Sequence, residues 1–355
     1  MKSVAILGTV GVPANYGGFE TLAEHLVLQN AQLVNPHKLS VYCSEKSYNR
    51  KLSEYHGARL HYLPFNANGM QSLLYDMWSL VDAVLRGADV VLLLGHGGSF
   101  IIPSLKLITK TKFITNIDGV EWRREKWSGL ARWVLRKSES FAVRHSHIVI
   151  ADNNAIQEYV FDEYKKTCEI IPYGGDHALA TEGDLNGFSG LPDTYALALC
   201  RIVPENNVTM ILDAFDERVT PLVFVGNWDN SDYGRELKTR YSAHSTIIIL
   251  DPVYAPQTLR AIRDRANMYI HGHSAGGTNP SLVEMMHFGI PIFSFDCIFN
   301  RYTTENKGIY FNSSAELLQL INDNDCGIVG DSMKEIACRR YTWDQVAAAY
   351  FKLFI

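Results

Sequence analysis

Short runs of Val, Ile and Leu recur along this chain, each separated from the next by a longer stretch of helical periodicity. In the first half they fall at 3–7, 39–43, 60–63, 90–94, 113–116, 147–151 and 168–172. In the second half they fall at 196–199, 222–225, 246–250, 268–271, 291–295 and 309–311. Runs that are apolar on both alternating sets of side chains cannot lie on a sheet with one wet face. They need helices on both faces, as in parallel βαβ units. The 355 residues are long for one core and comfortable for two. Glycine and polar residues without periodicity break the pattern over 174–192. The predicted fold class is α/β, with two Rossmann-like doubly wound domains facing a central cleft where ligands bind at the strand ends. The predicted parts are a domain over 1–176, a linker over 177–192, a second domain over 193–338 and a terminal helix within 339–355. That helix places Val346, Ala347, Tyr350, Phe351 and Phe354 on one stripe.

Charge and cysteine usage exclude several classes. A formal net charge of −5 argues against nucleic acid as a partner, because counterion release needs a surplus of Lys and Arg. The six cysteines are scattered without a CxxC pair, which fits buried thiols in a reducing compartment better than disulfides or zinc. No apolar run reaches the roughly 18 residues of a membrane-spanning helix, and the run at 4–7 is too short for a secretory signal. The expectation is a cytoplasmic protein whose membrane contact, if any, is peripheral.

Four motifs carry candidate chemistry. Residues 8–20, Gly-Thr-Val-Gly-Val-Pro-Ala-Asn-Tyr-Gly-Gly-Phe-Glu, follow the first strand and open a helix near Thr21. Glycines here, Gly17 and Gly18 in particular, let backbone approach an anion at a helix start. The spacing is not GxGxxG. A substrate-lining loop, a plain turn and a dinucleotide site with Glu45 closing the second strand are the readings it allows. Residues 271–284, His-Gly-His-Ser-Ala-Gly-Gly-Thr-Asn-Pro-Ser-Leu-Val-Glu, run from a strand end through a glycine loop into a helix capped by Asn279. The N–H groups around Thr278, Asn279, Ser281 and Leu282 would face a diphosphate without a metal. Gly277 and His273 would line it, and Glu284 would accept the hydroxyls of a ribose. A capped surface helix is the plainer reading, and a metal on His271 and His273 lacks an acidic third ligand.

The third motif is Cys200-Arg201-Ile202-Val203-Pro204-Glu205-Asn206-Asn207, directly after a strand. Arg201 would clamp a leaving diphosphate, unless it only pairs with Glu205. The fourth is the segment 116–127 and the helix beyond it. Asp118 and Glu121 are placed to touch an acceptor hydroxyl, while Arg123, Arg124, Lys126 and Trp127 mix basic and aromatic character suited to an anionic lipid surface. A solvated basic helix with buried tryptophans is the alternative. His96, in Gly95-His96-Gly97-Gly98, is either catalytic or packed, and Asp323-Asn324-Asp325 reads as a solvated turn rather than a metal-diphosphate motif.

Together these residues resemble the retaining GT-B glycosyltransferases of family four. Arg201-Ile202-Val203-Pro204-Glu205 is similar to that family's G-R-x-x-P-E-K segment, and Glu284 to the distal Glu of its E-x7-E motif. Residues 13–20, 116–127, 204–207 and 276–281 resemble a narrower bacterial rhamnosyltransferase-type subfamily of capsule and O-antigen assembly, which often uses a deoxythymidine diphosphate rhamnose donor. The resemblance implies transfer of a sugar, rhamnose favoured, from a nucleotide diphosphate donor to a lipid-linked oligosaccharide at the inner face of the membrane. It implies retention of configuration, no metal cofactor and a last helix that crosses back onto the first domain. Three positions depart from the pattern: Asn206 stands where the family has Lys, Gly276 where it has the proximal Glu, and Asp118 near where many relatives have an acceptor-side His. A nucleotide-sugar epimerase or hydrolase, and a non-catalytic nucleotide-sugar-binding assembly protein, are the rival readings.

Overall fold

The protein is described from a computed structural model over residues 1–14, 17–117, 119, 122, 129–185, 190–216, 220–323 and 327–355. It divides into two compact units, Met1–Tyr173 with Trp343–Ile355, and Gly174–Thr342.

The first unit runs β1 (Ser3–Leu7), α1 (Gly18–Ala31), β2 (Lys38–Ser44), β3 (Glu54–Tyr55), β4 (Ala58–Leu63), α2 (Ser72–Leu85), β5 (Val90–Leu94), α3 (Ile102–Ile108), β6 (Lys112–Asn116), α4 (Gly129–His145), β7 (Ile148–Ala151), α5 (Asn154–Tyr164) and β8 (Glu169–Ile170). Among the described residues its sheet has the order β3-β4-β2-β1-β5-β6-β7-β8 and is parallel except for β3. The central strands are buried on both faces: Val4, Ala5, Ile6 and Leu7 are wholly inaccessible, as are Val91 and Leu92. Each apolar run forms a strand because only a doubly covered sheet hides side chains of both parities. The short β3 has no such run. It is an edge strand closed by a two-residue turn at His56 and Gly57, both with positive φ.

The second unit runs β9 (Tyr195–Leu199), α6 (Val208–Asp216), β10 (Leu222–Val225), α7 (Asp232–Tyr241), β11 (Ile247–Leu250), α8 (Pro256–Asp264), β12 (Ala266–His271), α9 (Pro280–Met286), β13 (Ile292–Phe295), α10 (Ile298–Thr303), β14 (Ile309–Phe311), α11 (Ser314–Asp323) and α12 (Gly327–Arg340). Its parallel sheet has the order β11-β10-β9-β12-β13-β14, the doubly wound 3-2-1-4-5-6 arrangement. Part of the segment expected to be a linker packs here instead. Ala178 is buried, Arg260 holds the carbonyls of Leu179 and Thr181, and the Asp184 N–H donates to Gln257.

The last helix, α13 (Trp343–Leu353), belongs to the first unit. Its buried stripe of Trp343, Val346, Ala347 and Tyr350 packs on α1, where the Trp343 indole stacks on His25 at 4.2 Å. The Tyr350 hydroxyl accepts from Asn116 at 2.7 Å, and Lys112 donates to the Leu353 carbonyl at 2.8 Å.

Candidate functional site

In each sheet the strand order reverses at one place, and there the loops leaving two neighbouring strands diverge to opposite faces and open a crevice. In the first unit this lies between β1 and β5, in the second between β9 and β12. The loops that follow those four strands are the glycine motif at 8–18, the His96 loop, the Arg201 segment and the His273 loop.

In the second unit the two loops are stitched together. The Asn206 amide oxygen meets His273 Nδ1 at 2.8 Å, and the Asn207 amide donates to the Gly272 carbonyl at 2.8 Å. Ser274 donates twice to the Glu205 carbonyl, from its N–H at 3.0 Å and its hydroxyl at 2.7 Å. A Cβ on Gly272 would lie 2.1 Å from the Asn206 carbonyl oxygen, so only glycine permits this approach. Asn206, read as a departure from the family pattern, and its neighbour Asn207 thus hold the loops in register. Arg201 at the head of the segment is exposed, and among the described residues its guanidinium makes no hydrogen bond or ion pair. It is not tied to Glu205.

The cradle of N–H groups differs from expectation. Asn279 caps α9 by accepting from the Ser281 N–H at 3.0 Å, and its carbonyl takes the Leu282 N–H at 3.1 Å. The Ser281 hydroxyl bonds Asn279 and accepts from Tyr269. Ser281 and Leu282 are therefore satisfied inside the protein. The N–H groups of Ala275, Gly276 and Gly277 make no hydrogen bond among the described residues. Gly276 has φ +120°, and a Cβ there would press within 3.1 Å of His273 Nε2. A glutamate at 276 fits neither that backbone nor that neighbour. The His271 and His273 rings lie 5.9 Å apart, and burial pushes the His271 imidazole far below its ordinary range. Among the described residues no third His, Cys, Asp or Glu joins them in a group that could hold a metal ion.

Glu284 sits one turn into α9, but it is not idle. Its Oε2 pairs with Arg263 of α8, only 6% exposed, and its Oε1 lies 3.3 Å from His177 Nε2. Burial pushes its carboxyl up, and the Arg263 guanidinium and His177 overcome this and hold it at about 2. Each carboxylate oxygen keeps a second lone pair for a ligand hydroxyl. Arg263 and His177 escaped sequence reasoning because their charge complements a residue that looked free only in one dimension.

In the first unit the helix start at Gly17 and Gly18 is already filled by a carboxyl group of the protein, which burial pushes above its ordinary range. Glu20 turns back so that Oε1 accepts from the Val10 N–H at 3.0 Å, and a Cβ on Gly17 (φ +127°) would collide with its other oxygen. Gly17 is glycine to make room for Glu20, which alters the expected donor-facing role of the pair. His96 is buried, and its carbonyl accepts from the Ser99 and Ser138 hydroxyls, so its loop is packed from two sides. Asp118, Glu121, Arg123, Arg124, Lys126 and Trp127 lie outside the described residues.

Beside the His96 loop, Asp76 of α2 is 8% exposed and abuts Gly97 and Gly98, where any side chain would strike it. Among the described residues its carboxyl makes no hydrogen bond, and burial alone pushes it up to about 8. A folded value above the unfolded 3.8 means that folding takes up a proton between those limits. Stability therefore falls as pH rises from about 4 to 8, by as much as ~5 kcal/mol. Asp76→Asn is expected to raise the melting temperature little near pH 5 and most above pH 8. A pH-independent gain would contradict this account.

The two parallel-sheet Rossmann-like units with crevices at their switch points define the GT-B fold. Solved structures of that fold match the whole chain. Sucrose-phosphate synthase from Thermosynechococcus elongatus aligns with a TM-score of 0.83 at 15% identity, covering 100% of this chain and 98% of that one. Anabaena HepE, in complex with UDP-glucose, aligns at 0.71 and 16% identity, covering 99% and 100%. The catalytic domain of starch synthase IV from Arabidopsis thaliana, bound to ADP and acarbose, aligns at 0.68 and 12% identity, covering 99% and 98%. The family described as a domain of unknown function (DUF1972) matches residues 1–176. No curated protein matches the sequence.

Proposed function

We propose that the protein is a glycosyltransferase that binds the nucleoside diphosphate of an activated sugar at the second unit's switch point. The observation that carries this reading is the stitched pair of loops. These loops carry an uncommitted guanidinium, Arg201, and three uncommitted N–H groups, at Ala275 to Gly277, and the helix that follows them carries an ionised carboxylate, Glu284. Such an arrangement stabilises negative charge that grows on a leaving diphosphate as the sugar becomes oxocarbenium-like. A metal ion is not needed to neutralise that charge. The UDP-glucose held by HepE and the ADP held by starch synthase IV support a nucleotide-sugar donor here. Rhamnose as the sugar, retention of configuration and a lipid-linked glycan acceptor in O-antigen or capsule synthesis follow from the sequence resemblance. In this reading His96, Asp118 and Glu121 serve the acceptor. Arg123, Arg124, Lys126 and Trp127 meet anionic lipid at the inner face of the cell membrane, and no helix of the described residues is long and apolar enough to cross it.

A melting panel of thymidine, uridine, guanosine and adenosine diphosphate sugars tests the reading. A ligand that binds only the folded state raises the transition by mass action, about 2.7 kcal/mol at a hundredfold excess over Kd. One base class is expected to stand out, and its sugar to be transferred only when glycan acceptor is present. Equal consumption without acceptor would instead mark an epimerase or hydrolase. Binding without turnover on any lipid-linked glycan would mark an assembly protein, the reading that the glycine at 276 favours.

A further inference from the structure

Asp76 belongs to α2, which follows β4 and so begins at the carboxyl-end edge of the first sheet. Its helix is tied to both loops of that unit's switch point. On one side the wholly buried Tyr75 donates from its hydroxyl to the Thr9 carbonyl, in the loop after β1, at 3.0 Å. On the other side the turn after β5 lies against the helix. A Cβ on Gly97 would fall 1.9 Å from Asp76 Oδ2, and one on Gly98 (φ +66°) would fall 2.6 Å from the Met77 nitrogen. The carboxyl thus stands where the two loops diverge, the place at which doubly wound sheets take their ligands.

This carboxyl has no partner among the described residues, yet it is not sealed. Asp76 is 8% exposed, and neither of its oxygens is among the fully enclosed side-chain atoms that lack a hydrogen bond. The N–H groups of Gly97 and Gly98, in the turn packed on it, also make no hydrogen bond among the described residues. Nearly buried polar groups without partners are costly, and a ligand that supplies partners removes the cost. The chemistry of the set selects the ligand. An anion would need a countercharge, but burial is the sole cause of the shift at Asp76, with no lysine or arginine bearing on it among the described residues. The neighbouring helix start is filled by Glu20. A carboxyl held at about 8 is mostly the neutral acid near pH 7, with one O–H to give and a carbonyl oxygen to receive. A hydroxyl both gives and receives, so it satisfies the acid and the two N–H groups without charge.

We propose that Asp76, with the N–H groups of Gly97 and Gly98, forms a subsite for a hydroxyl of the acceptor glycan and is a specificity-determining residue for it. The identity of the sugar as acceptor rests on the transferase reading above; the subsite itself does not. The test follows the Gly97 and Gly98 amides of the whole chain by heteronuclear NMR. The methyl glycosides of rhamnose, glucose and galactose are titrated one by one, as is the nucleotide sugar that stands out in the melting panel. At least one glycoside is expected to shift both amides saturably. Asp76→Asn, whose carboxamide keeps a donor and an acceptor, should bind it within about threefold of wild type. Asp76→Leu, of similar shape but with neither, should bind it roughly tenfold or more weakly. That variant should melt no lower than wild type, because it removes a buried carboxyl without a partner. One monodeoxy analogue of the glycoside should lose the same factor on wild type and nothing further on Asp76→Leu. Unchanged glycoside affinity in Asp76→Leu would reduce Asp76 to a packing residue and overturn the proposal. So would amides that no glycoside moves, or that only the nucleotide sugar moves, which would give the subsite to the donor. Glycoside shifts that persist when no nucleotide sugar binds would uphold the subsite and count against the transferase reading alone.

Discussion

Arg201→Ala is expected to lower turnover on the preferred nucleotide sugar by roughly a hundredfold or more, the scale seen when one donor to a developing negative charge is removed. Its melting temperature should match that of the wild type, because the guanidinium is exposed and takes no hydrogen bond or ion pair among the described residues. Arg201→Lys should recover part of the rate, since an ammonium supplies charge without the planar fork that bonds two phosphate oxygens. Steady-state kinetics with both substrates varied would check this. A loss that appears only in acceptor KM would contradict the placement of Arg201 on the diphosphate.

Glu284→Ala is expected to affect both folding and binding, and the two effects can be separated. Removing one partner of a buried pair strands the other, here Arg263, at a cost of roughly 3–5 kcal/mol. For a unit of this size that corresponds to a fall in melting temperature of about 6–20 °C. The pH dependence follows from the carboxyl being held at about 2 rather than 4.5. A folded value below the unfolded one gives stability that is complete above about pH 4.5 and is lost as pH falls toward 2. The gap between wild type and Glu284→Gln should therefore close across that window. Replacing the pair together, Arg263→Leu with Glu284→Met, should restore most of the stability, because no buried charge is left alone. If Glu284 also holds a ribose, nucleotide affinity stays low in that restored protein. Recovery of affinity along with stability would reduce Glu284 to a structural role.

The strands of both sheets were legible because full burial on two faces imposes one unmistakable pattern, and runs such as 90–94 and 222–225 coincide with β5 and β10. What escaped was β3, a two-residue edge strand with no apolar run to announce it. The packing of 178–184 against α8 also escaped, since it rests on arginine-to-carbonyl bonds rather than on hydrophobic periodicity. The motifs at 8–20, 200–207 and 271–284 and the His96 loop were legible as positions, and the sheet order explains why: they lead off the strands that flank a switch point, whereas the segment 116–127 comes after β6. Their internal wiring was not. That Glu20 fills the start of α1, that Asn279 consumes the Ser281 N–H, and that Arg263 neutralises Glu284 are contacts between residues 10, 2 and 21 positions apart. Composition and spacing leave such pairings open, because several partners of the right charge compete until the backbone is placed.

The most direct measurement follows the backbone amides of Ala275, Gly276 and Gly277 by heteronuclear NMR while a nucleoside diphosphate is titrated into wild-type protein and into Arg201→Ala. Saturable shifts at these three amides, with affinity lowered in the variant by roughly tenfold or more, are the predicted result. Binding that leaves the three amides unmoved, or that is equally tight without the Arg201 side chain, would contradict the account.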